Sequence, residues 1–106
     1  MARISTHVLD IAKGRPAAGI AVDLRSGGAV IASAVTNADG RTDKPLLAGD
    51  RIGPGLYELV FHAPAYLGEA GFYEDITVRF RVTDPEGSYH IPLLLSGYGY
   101  TTYRGS

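Results

Sequence analysis

ITVRFRVT, residues 76 to 83, alternates apolar and polar side chains over its whole length. Successive side chains of a β-strand point to opposite faces, so this period of two predicts a strand with one buried face. The same alternation recurs in residues 20–25 and 57–62. Turn-forming glycine and proline separate these segments, as in Gly53-Pro54-Gly55 and Asp84-Pro85-Glu86-Gly87. This pattern is typical of a protein with many short strands.

Only one segment favours a helix. It covers residues 63–70, where Pro64 is placed to open a helix of one or two turns. Seven or eight closely spaced strands in a chain of 106 residues predict an all-β protein, either a β-sandwich or a small barrel. This length fits a single domain over residues 1–106, because domains commonly run from about 50 to 250 residues.

The composition of the chain limits both the partners and the cellular location that we expect for it. The formal net charge of −1 gives no electrostatic reason to expect nucleic acid or an anionic membrane as partner. The chain has no cysteine, which excludes disulfides and mildly favours a reducing compartment. No segment resembles a signal core or approaches the roughly 20 apolar residues of a membrane span. We therefore expect a soluble, cytoplasmic protein.

The last ten residues, GYGYTTYRGS, are unusual for a chain end. They hold three tyrosines and an arginine, and only Ser96 separates them from the apolar run Ile91–Leu95. Chain ends are normally polar and frayed, and three tyrosine rings are a large surface to leave in water. We expect this segment to be docked, which would bring a guanidinium, hydroxyls and the terminal carboxylate to one place.

Three histidines could do acid–base chemistry. His7 shares a strand face with Leu9, and His90 shares one with Leu94. From the pattern alone, the simplest interpretation of both is a half-buried histidine bonded to a backbone carbonyl. His62 ends a strand beside the predicted helix, and we interpret it as structural or solvent-facing. No two histidines have the short spacing of a local ligand pair, so we predict no metal site.

Three other polar residues stand at turns or strand edges. Arg41 follows the turn Asn37-Ala38-Asp39-Gly40, from which a guanidinium reaches either solvent or a cleft. Asp10 and Asp39 are possible general bases, but both also suit turn and strand-edge roles, which we prefer.

Three blocks of sequence carry a family resemblance. They are STHVLD at 5–10 followed by GRPA at 14–17, TNADGR at 36–41, and YHIPLLLS at 89–96 running on to YRGS at 103–106. Together they resemble the 5-hydroxyisourate hydrolases, the enzymatic branch of the transthyretin-like family, over essentially the whole chain. The final Tyr-Arg-Gly-Ser is the specific part, since it marks the hydrolases and is absent from the hormone-carrying transthyretins.

The resemblance implies a two-sheet β-sandwich with one short helix. We expect the protein to need no cofactor. It also implies a homotetramer with substrate clefts at the dimer–dimer interface. The implied reaction is hydrolysis of 5-hydroxyisourate in urate degradation. The residues that match the family's site are His7, Arg41, His90 and Ser106 as catalytic groups, and His7, Arg41 and Tyr103 as substrate-binding groups.

The chain departs from the family at two places. Gly97 stands where the family usually has proline, which predicts a looser entrance to the terminal segment. Residues 72–75, FYED, replace a Phe-Pro-Glu-like stretch away from the matched site residues.

Two other functions fit part of the pattern. A transthyretin-like carrier of a small ligand shares the fold, but the presence of His7, Arg41 and His90 argues against it. A β-sandwich adhesion or carbohydrate-binding module explains the fold and the aromatic residues. It does not explain two histidines within strands.

Overall fold

The computed structural model describes residues 1–106 and consists of two β-sheets with one short helix, as predicted. The nine strands exceed the predicted seven or eight because three of them are very short: β2 (Arg15–Pro16) has two residues, and β5 (Leu47–Gly49) and β9 (Tyr100–Thr102) have three each. The strands are β1 (Ala2–Asp10), β2 (Arg15–Pro16), β3 (Ala21–Ser26), β4 (Ala29–Val35), β5 (Leu47–Gly49), β6 (Gly55–Phe61), β7 (Ile76–Val82), β8 (Ser88–Leu95) and β9 (Tyr100–Thr102).

The first sheet has the order β2-β1-β8-β9, with β5 also pairing with β1, and the second has the order β4-β3-β6-β7. Neighbouring strands are antiparallel except β1 and β8, which run parallel. The edge strands β7 and β9 each have only one neighbour in their sheets. Residues of β7 and β9 line one common cavity, so these two unpaired strand edges lie on the same side of the sandwich.

The alternation seen in the sequence matches the buried faces of β3, β6 and β7. Val22 and Leu24 of β3 and Leu59 and Phe61 of β6 are fully buried, and they pack with Ile4 of β1 in one core of 19 residues. Burying an aliphatic or aromatic side chain of this size stabilises the fold by about 1.5–3 kcal/mol. The sandwich is thus held together by the residues that the period of two selects.

The helical segment forms where it was predicted. Helix α1 covers Ala63–Leu67 with Pro64 in its first turn, and a single 3₁₀ turn, Gly68–Ala70, continues it. His62 precedes the helix and pairs through Nε2 with Asp23 at 2.8 Å and through Nδ1 with Asp75 at 3.1 Å. The hydrogen bond with Asp23 raises the pKa of His62. The structural interpretation of His62 is confirmed.

A membrane-spanning helix would need about 20 residues, and no helix of this protein approaches that length.

The parallel pair β1–β8 prepares the functional site. Its register sets Arg3 opposite Ser88, Ser5 opposite His90 and His7 opposite Pro92. Alternate residues of β1, from Ala2 to Asp10, are buried in the core, so Arg3, Ser5 and His7 face outward. The outer face of this sheet consequently carries polar side chains from two distant parts of the sequence.

Candidate active site

A polar cleft of about 400 Å³ opens on the outer face of the first sheet. Three of the predicted site residues, Arg41, His90 and Ser106, line this cleft together. Arg41 comes from the second block of the sequence, and His90 and Ser106 both come from the third. Ser5 of the first block also lines the cleft, which is therefore where the three blocks meet. Arg3 and Ser5 of β1 complete its charged and hydroxyl-bearing wall.

Arg41 is positioned by the turn before it. The Asn37 Oδ1 accepts hydrogen bonds from the backbone N–H groups of Asp39 at 2.9 Å and Arg41 at 3.2 Å. Gly40 has a φ of +76°, and a Cβ there would collide with the carbonyl oxygen of Val8. The turn can therefore lie directly against β1 only because residue 40 is glycine. This contact brings Arg41 opposite His7 in an isolated antiparallel bridge.

The His90 imidazole is half-buried and held on two sides. Its Nδ1 lies 2.9 Å from the Ser5 hydroxyl oxygen, and its Cδ2 edge faces Gly105. Burial lowers the pKa of His90, and the positive charges of Arg41 and Arg3, together with the neighbouring His7 imidazole, lower it further. His90 is therefore a neutral imidazole near pH 7, which is the form that can accept a proton.

His7 lies beside the cleft rather than in its lining. Its Nε2 is 2.8 Å from the carbonyl oxygen of Asp39. A carbonyl oxygen only accepts, so Nε2 carries the proton and a neutral His7 has its free lone pair on Nδ1. This is the backbone-bonded histidine that the sequence pattern favoured. Its assignment as a catalytic and substrate-binding group remains a prediction.

The terminal segment is held against β8 by its backbone. Strand β9 pairs with β8, and the N–H of Gly105 donates to the carbonyl of His90 at 2.7 Å. Arg104 lies over the Tyr89 ring at 4.5 Å and donates to the Ser88 carbonyl at 3.2 Å. These contacts confirm that the segment is docked, and they bring Ser106 to the cleft.

Tyr103 does not join the other predicted residues. Its side chain is 56% exposed and lines a separate cavity of about 250 Å³ together with Arg81, Tyr89 and Phe80. Within a single chain, the cleft and this cavity share no lining residue.

The two aspartates take structural positions. Asp10 is buried, and it accepts hydrogen bonds from the N–H groups of Ala12 and Lys13 and from the Tyr66 hydroxyl. Burial alone would raise the pKa of Asp10, but these hydrogen bonds lower it. Asp39 forms part of the turn before Arg41, which is the role that the sequence analysis preferred for it.

Arg3 and Ser5 were not predicted as site residues. The available signal was the period of two in β1, which puts both on the outward face that also carries His7. The sequence does not reveal the register between β1 and β8. That register sets Ser5 beside His90, although the two residues are 85 positions apart in the chain.

The chemistry open to this cleft follows from its groups. A neutral imidazole can accept a proton from water, and a guanidinium can hold a carbonyl oxygen on which negative charge develops. Arg3 and Arg41 make the cleft cationic, which favours a substrate that is anionic or rich in carbonyl groups.

Comparison with known proteins places this arrangement in a family. The chain is 50% identical to 5-hydroxyisourate hydrolase 2 of Rhizobium meliloti over 115 aligned residues, which cover 98% of this chain and 96% of that protein. The structure of 5-hydroxyisourate hydrolase from Klebsiella pneumoniae superimposes with a TM-score of 0.87 at 34% identity, over 100% of this chain and 94% of that one.

The fold by itself does not separate the two branches of this family. Sea bream transthyretin in complex with thyroxine superimposes nearly as well, with a TM-score of 0.85 at 32% identity over 97% of this chain and 94% of that one. A profile of the HIUase/Transthyretin family matches residues 4–105. The chain therefore belongs to the HIUase/Transthyretin family.

Proposed function

We propose that this protein is a hydrolase of 5-hydroxyisourate, the product of urate oxidation, and converts it to 2-oxo-4-hydroxy-4-carboxy-5-ureidoimidazoline. The observation that carries the proposal is the polar cleft in which Arg41, His90 and Ser106 converge. The names of the hydrolases from Rhizobium meliloti and Klebsiella pneumoniae support the same activity.

The proposed reaction is general acid–base hydrolysis. A histidine takes a proton from water while the water oxygen attacks a carbonyl carbon of the substrate's six-membered ring. The resulting oxyanion is stabilised by the Arg41 guanidinium. When the ring carbon–nitrogen bond breaks, the imidazolium returns its proton to the leaving nitrogen. His90 suits the role of base because burial and neighbouring cations keep it neutral.

The other predicted residues have narrower parts. His7, fixed by its bond to Asp39, would orient the water or share the proton transfer. The Ser106 hydroxyl would hydrogen-bond the water or the substrate. Tyr103 would help to position the substrate through its hydroxyl or its backbone, although within one chain its side chain lines the separate cavity. The histidines can transfer each proton and Arg41 can stabilise the negative charge that develops in these steps. We therefore propose that the reaction uses no cofactor and no metal.

We further propose that the protein forms a homotetramer with its clefts at the dimer–dimer interface. We also propose that it is located in the cytoplasm. The unpaired edges of β7 and β9 support association, because an exposed strand edge invites pairing with another chain. Large exposed apolar side chains point the same way, among them Phe72, Tyr98 and Tyr103. The absence of cysteine suits a reducing compartment.

A ligand carrier is the second candidate, favoured by the similarity to thyroxine-bound sea bream transthyretin. A site for an aromatic ligand is normally lined mainly by apolar side chains. The cleft is instead lined by arginines, hydroxyls and His90. Its chemistry fits hydrolysis better than storage of an apolar ligand.

The decisive experiment is an ultraviolet assay with freshly generated 5-hydroxyisourate. We expect the protein to accelerate its decay well above the spontaneous rate, and Arg41→Ala to lose about 10²–10³-fold in kcat because the oxyanion loses its cation. Arg51→Ala is the matched control, since Arg51 is exposed and pairs only with Glu86. Equal decay with and without the wild-type protein would refute the enzyme and leave the carrier.

A further inference from the structure

The His90 ring is fixed along two of its edges. Ser5 Oγ meets Nδ1 at 2.9 Å, and a Cβ on Gly105 would come within 2.6 Å of Cδ2. The remaining edge, which carries Nε2, is the one farthest from the backbone. Nε2 has no hydrogen-bond partner in the chain and is not buried, and His90 lines the cleft, so Nε2 is the ring nitrogen available to a molecule bound there. The two contacts together leave the ring little freedom to rotate.

The register of the sheet makes Ser5 the residue that can do this. Ser5 and His90 are directly paired across the parallel strands β1 and β8 and face the same side. The next residue, Thr6, also has a hydroxyl, but it is buried on the opposite face and donates to the Ile91 carbonyl at 2.6 Å. Two adjacent hydroxyl residues thus have different partners.

We propose that Ser5 is a positioning residue, which holds the His90 imidazole through Nδ1 so that Nε2 faces the water or substrate in the cleft. This proposal rests on the proposed hydrolase function. For Nε2 to accept a proton, Nδ1 must carry one and donate it to the Ser5 hydroxyl oxygen, which can accept it. This hydrogen bond also fixes ring orientation, and misplacing a reacting group by about 1 Å can cost about 10²-fold in rate.

The competing explanation is that Ser5 is only a strand residue on an outward face. Ser5→Ala removes one partially exposed hydroxyl and leaves the core untouched, so it tests the two explanations without unfolding the sandwich. Ser5→Thr restores a hydroxyl on a residue well suited to strands. Ser33→Ala is the matched control, because Ser33 is also a strand serine whose hydroxyl bonds a side chain, Asp23, but in the other sheet.

Two readouts are needed. In the ultraviolet assay we expect Ser5→Ala to lower kcat about 10- to 100-fold with little change in KM, and Ser5→Thr to recover most of that loss. In ¹⁵N NMR spectra of the histidine rings we expect the His90 Nδ1 resonance to move in Ser5→Ala and to return in Ser5→Thr. Ser33→Ala should leave both kcat and the His90 resonances as in the wild type.

The outcomes separate cleanly. An unchanged kcat in Ser5→Ala would overturn the proposal, even with a shifted resonance, because the contact would then not serve the reaction. A lower kcat with an unmoved His90 resonance would also overturn it, since Ser5 would then act on the substrate directly. If the wild type fails to hydrolyse 5-hydroxyisourate, the proposed function fails, while the resonance still tests the contact between Ser5 and His90.

Discussion

The electrostatic surroundings of His90 all act in one direction. Partial burial disfavours the charged imidazolium, and the positive charges of Arg41 and Arg3, together with the neighbouring His7 imidazole, disfavour it further. The pKa of His90 therefore lies below its ordinary value. If His90 is the base, its neutral form persists into mildly acidic solution, and activity is lost only when the pH falls through this lowered pKa.

Arg3 offers a way to test this dependence without removing a predicted catalytic group. In Arg3→Gln the pKa of His90 rises, because one of the cations that oppose its protonation is gone. The acid limb of the pH profile of kcat should move to higher pH, and an NMR titration of His90 should move with it. Arg51→Gln, a change remote from the cleft, should move neither. An acid limb that stays in place in Arg3→Gln while the His90 titration shifts would show that another group is the base.

For individual residues, the sequence predicts site residues that belong to a recognisable motif, but it does not predict contacts that depend on the register between strands. Arg41, His90 and Ser106 were predicted by their motifs, and the structure brings them to one cleft. Ser5 touches His90 only because β1 and β8 pair in parallel with one particular alignment. No local pattern specifies that alignment, since it depends on packing across the whole sandwich.

Among the elements, the loop between β8 and β9 differs most from its predicted character. Gly97 in place of proline predicted a looser chain, but its carbonyl accepts the N–H of Phe72 at 2.8 Å. A Cβ on residue 97 would collide with the carbonyl oxygen of Ala70 in the 3₁₀ turn. Glycine therefore allows the turn after α1 to pack directly on the loop that leads to the terminal segment.

This packing predicts a selective effect of adding one methyl group. Gly97→Ala should destabilise the protein by about 1–3 kcal/mol, because the new Cβ forces the turn and the loop apart. Gly99→Ala is the matched control two residues away, where the nearest atom to a new Cβ is the Ser96 hydroxyl at 3.8 Å. Its effect should stay within about 0.5 kcal/mol. Urea unfolding of both variants measures the difference, and equal stabilities would show that the turn does not depend on glycine.

The elements with a clear local pattern could be predicted, whereas β4, with seven residues, could not, because its sequence AVIASAV does not alternate. Strands β3, β6 and β7 and helix α1 all lie where the alternation and Pro64 put them. Strands β2 and β5 have two and three residues, too few to show any period. They form because neighbouring β1 offers its edge, which is a tertiary cause that the local sequence does not contain.

For the molecule as a whole, the aromatic rings in and around the terminal segment form an exposed surface cluster. The backbone of this segment is docked, yet Tyr98 remains 79% exposed and only stacks on Phe72 at 6.2 Å, which is itself exposed. Tyr73 and Tyr100 form a second exposed pair at 5.3 Å. Aromatic rings clustered on a surface are typical of protein interfaces. Together with the free edges of β7 and β9, this cluster supports the proposed tetramer.

The tetramer makes a prediction that connects assembly with activity. Light scattering should give a mass of about four times the 11.2 kDa chain. Because the clefts are proposed to lie between dimers, specific activity should fall on dilution as the tetramer dissociates. In Tyr98→Ser, which removes an exposed ring, the tetramer should dissociate and lose activity at a higher protein concentration than the wild type does. Val30→Ser, at an exposed apolar position on β4, should dissociate at the same concentration as the wild type. A wild-type monomer with full specific activity at every dilution would contradict the shared cleft and assign the whole reaction to the groups of one chain.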